Sequence, residues 1–277
     1  AYQDMEWMSD RQSVSTDDKE MVTPAVFPWR FAVAPVNISK PDELKAKASE
    51  VAAMDMSQSK IIGARQGIRT GINTAIWAAQ SGKAMLGMQD TVRDSVSTGT
   101  LGGIDLSSAS NSWFRNKAYT TAVTFTTQTV TNMFDGWVQI GVQYEAASDK
   151  NEEVTHIAMG ATLYGKALDT LESAGYTRFV NNGGNKYKLG SAGQGKEDGP
   201  MYRGAMIYKD RSVGASHIYG FNLANLKLKI LSGANFAKTP FVAADATGVL
   251  TKICFYMVGI QLVPNNPRRS FVLTNVS

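Results

Sequence analysis

Gly190-Ser191-Ala192-Gly193-Gln194-Gly195-Lys196 has the spacing of a phosphate-binding loop, GxxxxGK. In such a loop backbone amides cradle the phosphates, and a Ser or Thr after the lysine holds magnesium. Glu197 and Asp198 stand there instead, and Pro200 follows. Two carboxylates repel a phosphate, and proline opposes the helix whose amides would face it. The segment therefore reads as a polar loop. There are two histidines, His156 and His217, and both are predicted in strands. A Ser-His-Asp or Cys-His arrangement needs a base exposed at a turn or strand end, and neither neighbourhood has a nucleophile elbow. Cys254 is the single cysteine. It lies in the apolar run from Val249 to Val263, which predicts a buried, inert thiol. No group of His, Cys and carboxylates has metal-ligand spacing. The pairs Asp17-Asp18 and Glu152-Glu153 read as solvated turns. The expectation is a protein that is not an enzyme, with no metal and no cofactor.

Composition points the same way. The 277 residues suffice for one or two domains with a core. Hydrophobic residues make up 43% and charged residues 19%. The charge is low for a freely soluble monomer, so many apolar side chains are expected to be covered by neighbouring molecules. The net charge of +4 is too mild to name nucleic acid as a partner. The cations are dispersed: Arg65 and Arg69, Arg115 and Lys117, Arg268 and Arg269. They read as solvated faces and ion pairs at subunit contacts, and no DNA-reading motif is present. No apolar stretch is long enough to span a bilayer without charges. The acidic start Ala1-Tyr2-Gln3-Asp4 is not expected to be a signal peptide.

The elements that position these residues alternate between helix and strand. Residues 1–38 are short of a core of their own. Asp17-Asp18-Lys19-Glu20 is a charged tip, and Pro24, Pro28 and Pro35 forbid a regular central strand. The expected form is either a long projecting hairpin whose Val26, Phe27, Trp29 and Phe31 need a partner surface, or an ordinary edge hairpin packed on its own domain. Ser39 is placed as a helix cap with Asp42 reaching back. The helix is expected to run to about Gln80, with an irregularity near Ala53–Ser59. Ala64, Ile68, Ile72, Ala75, Ile76 and Ala79 share one face, and Arg65, Arg69 and Asn73 another. Gly63, Gly67 and Gly71 repeat every four residues. Each destabilises a helix by about 1 kcal/mol relative to Ala. Close approach of another backbone, or bending, would offset that cost.

Helices are further predicted over Thr131–Ala146, with Trp137, Val138 and Gly141 in register, and over Ala161–Ala174. Strands are predicted over Val154–Met159, Ala205–Lys209, His217–Phe221, Leu226–Leu231 and Val249–Val263, the last bent at Gly259. Asn182-Gly183-Gly184 signals a hairpin turn.

Three islands carry a family resemblance. The longest runs from Ser97 through Gly102-Gly103-Ile104-Asp105-Leu106-Ser107 to Trp113-Phe114-Arg115-Asn116. It resembles the "GGID(R)S…(F/W)WRN" segment of tailed-bacteriophage major capsid proteins. Phe27-Pro28-Trp29-Arg30-Phe31-Ala32 is similar to the family's "WPxRYA" strand. Pro264-Asn265-Asn266-Pro267-Arg268-Arg269-Ser270-Phe271-Val272-Leu273 is similar to its terminal "SNRRxxGVL". Leu106 stands where the family usually has Arg, and Pro267 interrupts the terminal basic run.

The resemblance implies an α+β subunit of the HK97-like fold in three parts. Residues 1–38 would be an N-terminal extension and E-loop hairpin. Residues 39–125 and 223–277 would form a discontinuous peripheral domain with a long spine helix, and 126–222 an axial domain. It implies a virion protein, assembled in the bacterial cytoplasm into hexamers and pentamers of an icosahedral shell around double-stranded DNA, touched non-specifically. Implied partners are further copies of the chain, a portal protein, a scaffold and a decoration protein, with no membrane. Lys19, Phe27, Trp29, Arg30, Phe31, Arg268 and Arg269 are expected at inter-subunit contacts. Gly63, Gly67 and Gly71 are expected to let the spine helix flex during procapsid maturation. Arg65 and Arg69 are expected to face the lumen or form ion pairs. Some relatives join a hairpin lysine to a neighbour's asparagine. Lys19 with Asn265 or Asn266 is not a specific match, and no crosslink is expected. An encapsulin-like bacterial compartment is the alternative of the same fold, and a hydrolase using Cys254 or a histidine the alternative of another class.

Overall fold

The computed structural model describes residues 24–40, 50–125, 135–149, 152–173, 201–243 and 251–277. In chain order the strands and helices are β1 Arg30–Ser39, α1 Glu50–Trp77, α2 Met88–Thr91, β2 Thr100–Leu101, β3 Ile104–Asp105, β4 Lys117–Tyr119, α3 Asp135–Ala147, β5 His156–Met159, α4 Ala161–Ser173, β6 Met201–Tyr202, β7 Ala205–Lys209, β8 Ile218–Phe221, β9 Leu226–Ile230, β10 Ala237–Lys238, β11 Val242–Ala243, β12 Thr251–Pro264 and β13 Phe271–Leu273. Short 3-10 turns cover Ala109–Phe114 and Pro267–Arg269.

β12 organises the first sheet. β1 runs antiparallel along one edge, from Arg30 opposite Ile260 to Ser39 opposite Thr251. β9, β10 and β11 share the other edge. Alternation sets the faces. Cys254, Tyr256, Val258, Ile260 and Leu262 are buried in a cluster with Val36, Ile68 and Trp77. Ala64, Ile72, Ala75 and Ile76 of α1 pack against that cluster, the helix face that the periodicity predicts. Gly259 does not interrupt β12. A Cβ there would sit 3.0 Å from the ring of Phe31, its cross-strand partner, so the glycine makes room for that ring.

Of the hairpin expected over residues 1–38, Arg30 to Ile38 lie in this edge strand, packed on the chain's own body. Pro35 is tolerated because an edge strand has a side whose N–H groups are not needed for pairing. The tip and Lys19 lie outside the described residues. Ser39 ends β1, and residues 41–49 also lie outside them. α1 runs without a break through Ala53–Ser59, where an irregularity is expected, and stops at Trp77, short of Gln80.

The second sheet has the order β4-β13-β8-β5-β7-β6. Pairing is parallel for β13 with β4 and for β5 with β7, and antiparallel for the rest. Its strands come from both sides of the expected boundaries at 125 and 222. One face packs with α3 and α4 around Trp137, Ile140, Tyr144, Leu163, Ile157, Ile218 and Phe271. The other meets the α1 layer through Ala158, Tyr219, Phe221 and Val272. In α3 the expected register fails at Val138, which is exposed along with Val142. Ile140 and Tyr144 turn inward in its place, because the neighbouring cover comes from β13 and β4. The hairpin expected around Asn182-Gly183-Gly184 and the loop after Gly190 lie outside the described residues.

Candidate functional site

The segment from Thr100 to Asn116 folds on itself. Leu101 pairs with Ile104, and Gly102 and Gly103 occupy the turn between them. Their φ angles are +59° and +86°, which a two-residue hairpin turn requires and glycine supplies without strain. Leu101, Ile104, Leu106 and Phe114 form a small separate core. The Arg115 guanidinium donates to the carbonyls of Leu106 (2.8 Å) and Ser108 (2.8 Å). The Asn116 amide accepts from the Arg93 N–H (3.0 Å) and donates to the Arg93 carbonyl (2.8 Å). Arg93 reaches on to the carbonyls of Thr98 and Thr100. Asp105 caps Ser107 through its N–H and hydroxyl, and those bonds hold its carboxyl below the ordinary value. The conspicuous polar residues of this motif are thus clamps on backbone carbonyls. Its aromatic and basic cluster builds a loop and leaves no group arranged to react.

Phe27 belongs to the same unit. Its ring lies against Gly102, where a Cβ would meet it at 2.7 Å, and the Val26 N–H donates to the Gly102 carbonyl. Trp29 and Phe31 behave differently, at 42% and 53% exposed. Phe31, Val33 and Pro35 face the side of the first sheet away from α1, opposite Gly259, Met257 and Phe255. Phe255 is 44% and Val33 54% exposed. Among the described residues nothing covers this apolar stripe.

The two histidines have structural surroundings. His156 stacks on Phe221 and lies edge-on to Tyr208, and burial holds its pKa below the ordinary value. His217 is not in a strand as expected. It occupies the turn just before β8, with Nε2 3.5 Å from Asp94 and Nδ1 3.3 Å from the hydroxyl of its neighbour Ser216. Stacked on Tyr219, it ties the segment after α2 to the second sheet. Sequence reasoning missed Asp94, because no local spacing links it to residue 217. Cys254 is fully buried, as expected. Among the described residues no His, Cys, Asp and Glu cluster is suited to a metal, and no helix is long and apolar enough to cross a membrane.

Glu152 is not the solvated turn expected. It accepts from Asn225, Asn266 and Arg269. Arg269 also pairs with Asp149 at 2.8 Å. Burial works against its charge, but these two carboxylates outweigh that and raise its pKa. Arg268 is exposed, and Arg30 is half-buried in β1.

On α1, a Cβ added at Gly63, Gly67 or Gly71 would meet nothing within 4 Å. Close packing among the described residues therefore does not explain the stripe. Gly67 and Gly71 line an open groove of about 330 Å³ against Arg30–Ala34 of β1, with Lys83 also in its lining. Arg65 and Arg69 are exposed. The Arg65 guanidinium lies over Tyr256 at 5.3 Å and that of Arg69 over Phe236 at 5.8 Å, as cation–π contacts.

No protein-family model and no curated protein matches the sequence. Solved structures do match. A chain of the cyanophage A-1(L) capsid asymmetric unit is similar with a TM-score of 0.63 at 16% identity, over 90% of this chain and 78% of that one. The capsid of an empty GTA particle gives 0.53 at 13% identity, over 99% and 81%. The satellite phage P4 procapsid, which includes the size determination (Sid) protein, gives 0.52 at 7% identity, over 100% and 80%. The chain has the α+β fold of these capsid structures, the HK97-like fold.

Proposed function

We propose that the chain is the major capsid protein of a tailed bacteriophage, a structural subunit that assembles with its own copies into a closed shell. The observation that carries this is the fold shared with the cyanophage A-1(L) capsid chain over 90% of the present chain. The stripe of Phe31, Val33 and Phe255, left exposed among the described residues with Trp29 beside it, supports it, since such a surface is a place for another molecule. Hexamers and pentamers of the subunit close the shell by repeated ring contacts, around double-stranded DNA in the virion. Assembly takes place in the bacterial cytoplasm with a scaffold, a portal protein and a decoration protein. Lys19, Trp29, Arg30, Phe31 and Arg268 belong to subunit contacts in this reading, whereas Phe27 and Arg269 are engaged within their own chain. The open space beside Gly63, Gly67 and Gly71 leaves α1 free to change curvature during maturation.

The test is the particle itself. The full chain is expressed, purified and examined by light scattering and negative-stain microscopy. Closed particles in the megadalton range are expected. A stable monomer at assembly concentrations overturns the reading. Particles that carry a protein cargo in place of nucleic acid would move it to a bacterial compartment.

A further inference from the structure

The open groove between α1 and β1 is charged at one end and apolar along the rest. Arg30 and Lys83 are its only polar side chains, and Ala32, Ala34, Gly67, Ile68, Gly71 and Ile72 belong to its apolar lining. The Lys60 ammonium donates to the Asn37 carbonyl at 3.1 Å, so α1 and β1 run in opposite directions past the groove. From that contact β1 reaches back about 23 Å to Arg30, and α1 runs on about 22 Å to Ala75. Arg30 is therefore level with the last turn of α1, and Lys83 follows the end of that helix at Trp77. Gly71 and Gly67 lie one and two turns further back along α1, and a Cβ at either would meet nothing within 4 Å. Among the described residues neither cation has a hydrogen-bond or carboxylate partner, and the Arg30 Nε is buried without one. A buried N–H with no acceptor is unfavourable, so this end of the groove suits an anion.

We infer that this groove binds a single-chain amphiphile with a carboxylate head, of the fatty-acid class. Its head meets Arg30 and Lys83, and its chain lies along Gly71 and Gly67. A guanidinium donates to a carboxylate through paired N–H groups, and an ammonium adds a point charge. The space left beside the two glycines is a channel that methylene groups fill as water leaves it. The chain's own stretch Asp4-Met5-Glu6-Trp7-Met8 also joins acid and apolar groups. A peptide suits the channel less well, because its amides need partners. The N–H and C=O groups of Gly67 and Gly71 are used inside α1, and the two cations are the only polar side chains nearby. An alkyl chain brings no such groups. The inference requires no assembly and stands apart from the shell reading.

The probe is laurate, titrated into the full chain below its micelle-forming concentration and followed by calorimetry. A saturable single site is expected. Dodecanol, with the same chain and no charge, should bind about tenfold more weakly. Arg30→Gln/Lys83→Gln should bring laurate down to the dodecanol level and leave dodecanol within about twofold of its binding to the parent. Arg30→Lys keeps the charge and should keep laurate within about threefold, which separates lost charge from lost folding. Gly67→Leu/Gly71→Leu puts side chains into the channel, and both ligands should be lost. Leu is a better helix former than Gly, so a thermal melt at or above that of the parent shows that α1 is intact. If this pair melts earlier, the comparison with Arg30→Gln/Lys83→Gln decides alone. Equal affinity for laurate and dodecanol, or laurate binding that survives the Leu pair, overturns the inference. So does uptake without saturation, the mark of adsorption on the exposed stripe of Phe31, Val33 and Phe255. A synthetic peptide of residues 1–12 that displaces laurate more readily than decanoate does overturns it in favour of the chain's own acidic segment.

Discussion

The second sheet is covered on both faces by its own chain, by α3 and α4 on one side and the α1 layer on the other. The first sheet is covered by α1 on one side, and its far side shows Phe31, Val33 and Phe255 to solvent. Charges follow the same division. Around the second sheet acids and bases satisfy each other, as Arg269 does with Asp149 and Glu152. In the α1 layer Arg65, Arg69 and Lys238 have rings beneath them and no carboxylate partner among the described residues. Among the described residues one region is complete within the chain, and the other presents apolar area and cations that those residues do not cover.

Two phenylalanines test it most sharply. Phe271 is fully buried in the second sheet, while Phe31 is 53% exposed on the first. Phe271→Ala should destabilise the isolated subunit by about 4 kcal/mol in urea unfolding, through lost burial and a cavity. Phe31→Ala and Trp29→Ala should each change subunit stability by about 0.5 kcal/mol or less, yet lower particle yield and heat stability. Equal destabilisation by Phe31→Ala and Phe271→Ala would abolish the contrast.

Asn116 comes next. It is buried and holds both backbone groups of Arg93, so Asn116→Ala should destabilise the subunit by about 2 kcal/mol. The loss should appear as early protease cleavage between Arg93 and Asn116, because the small core there stands apart from the larger ones.

A smaller effect, of opposite sign, is expected on α1. Gly67→Ala introduces no contact and removes a weak helix former, so it should stabilise the subunit by about 1 kcal/mol in a thermal melt. In particles the stiffer helix should shift the balance between compact and expanded shells, followed by light scattering. An unchanged expansion midpoint would leave the stripe without a role in curvature.

The least effect concerns pH. Burial lowers the His156 pKa from 6.5, so the fold favours the neutral ring. Below the unfolded value the unfolded chain takes up the proton more readily, and stability falls as pH drops. The decline should begin near 6.5 and be shallower in His156→Gln, in urea midpoints compared from about pH 7 to about pH 5. Parallel pH profiles for the two proteins would show that another group is responsible.

Local chemistry made much of this legible in the sequence. The face of α1 with Ile68, Ile72 and Ile76 follows from helical period, and the strand Ala205–Lys209 from its apolar run and flanking turns. The rejection of Gly190–Lys196 as a nucleotide loop follows from the carboxylates that come next. The turn at Gly102-Gly103 follows from the need for positive φ. Three ordered motif islands pointed to the fold. Other features depend on which distant segments meet. β1 is an edge strand because β12, far along the chain, lies beside it, and no period in residues 30–39 encodes that partner. Val138 faces out and Ile140 in because β13 and β4 decide where α3 is covered. Asp94 meets His217, and Glu152 gathers Arg269, Asn225 and Asn266, through contacts between residues remote in sequence. Arg65 and Arg69 lie over Tyr256 and Phe236 for the same reason, since β12 and the segment before β10 are far from α1 in the chain.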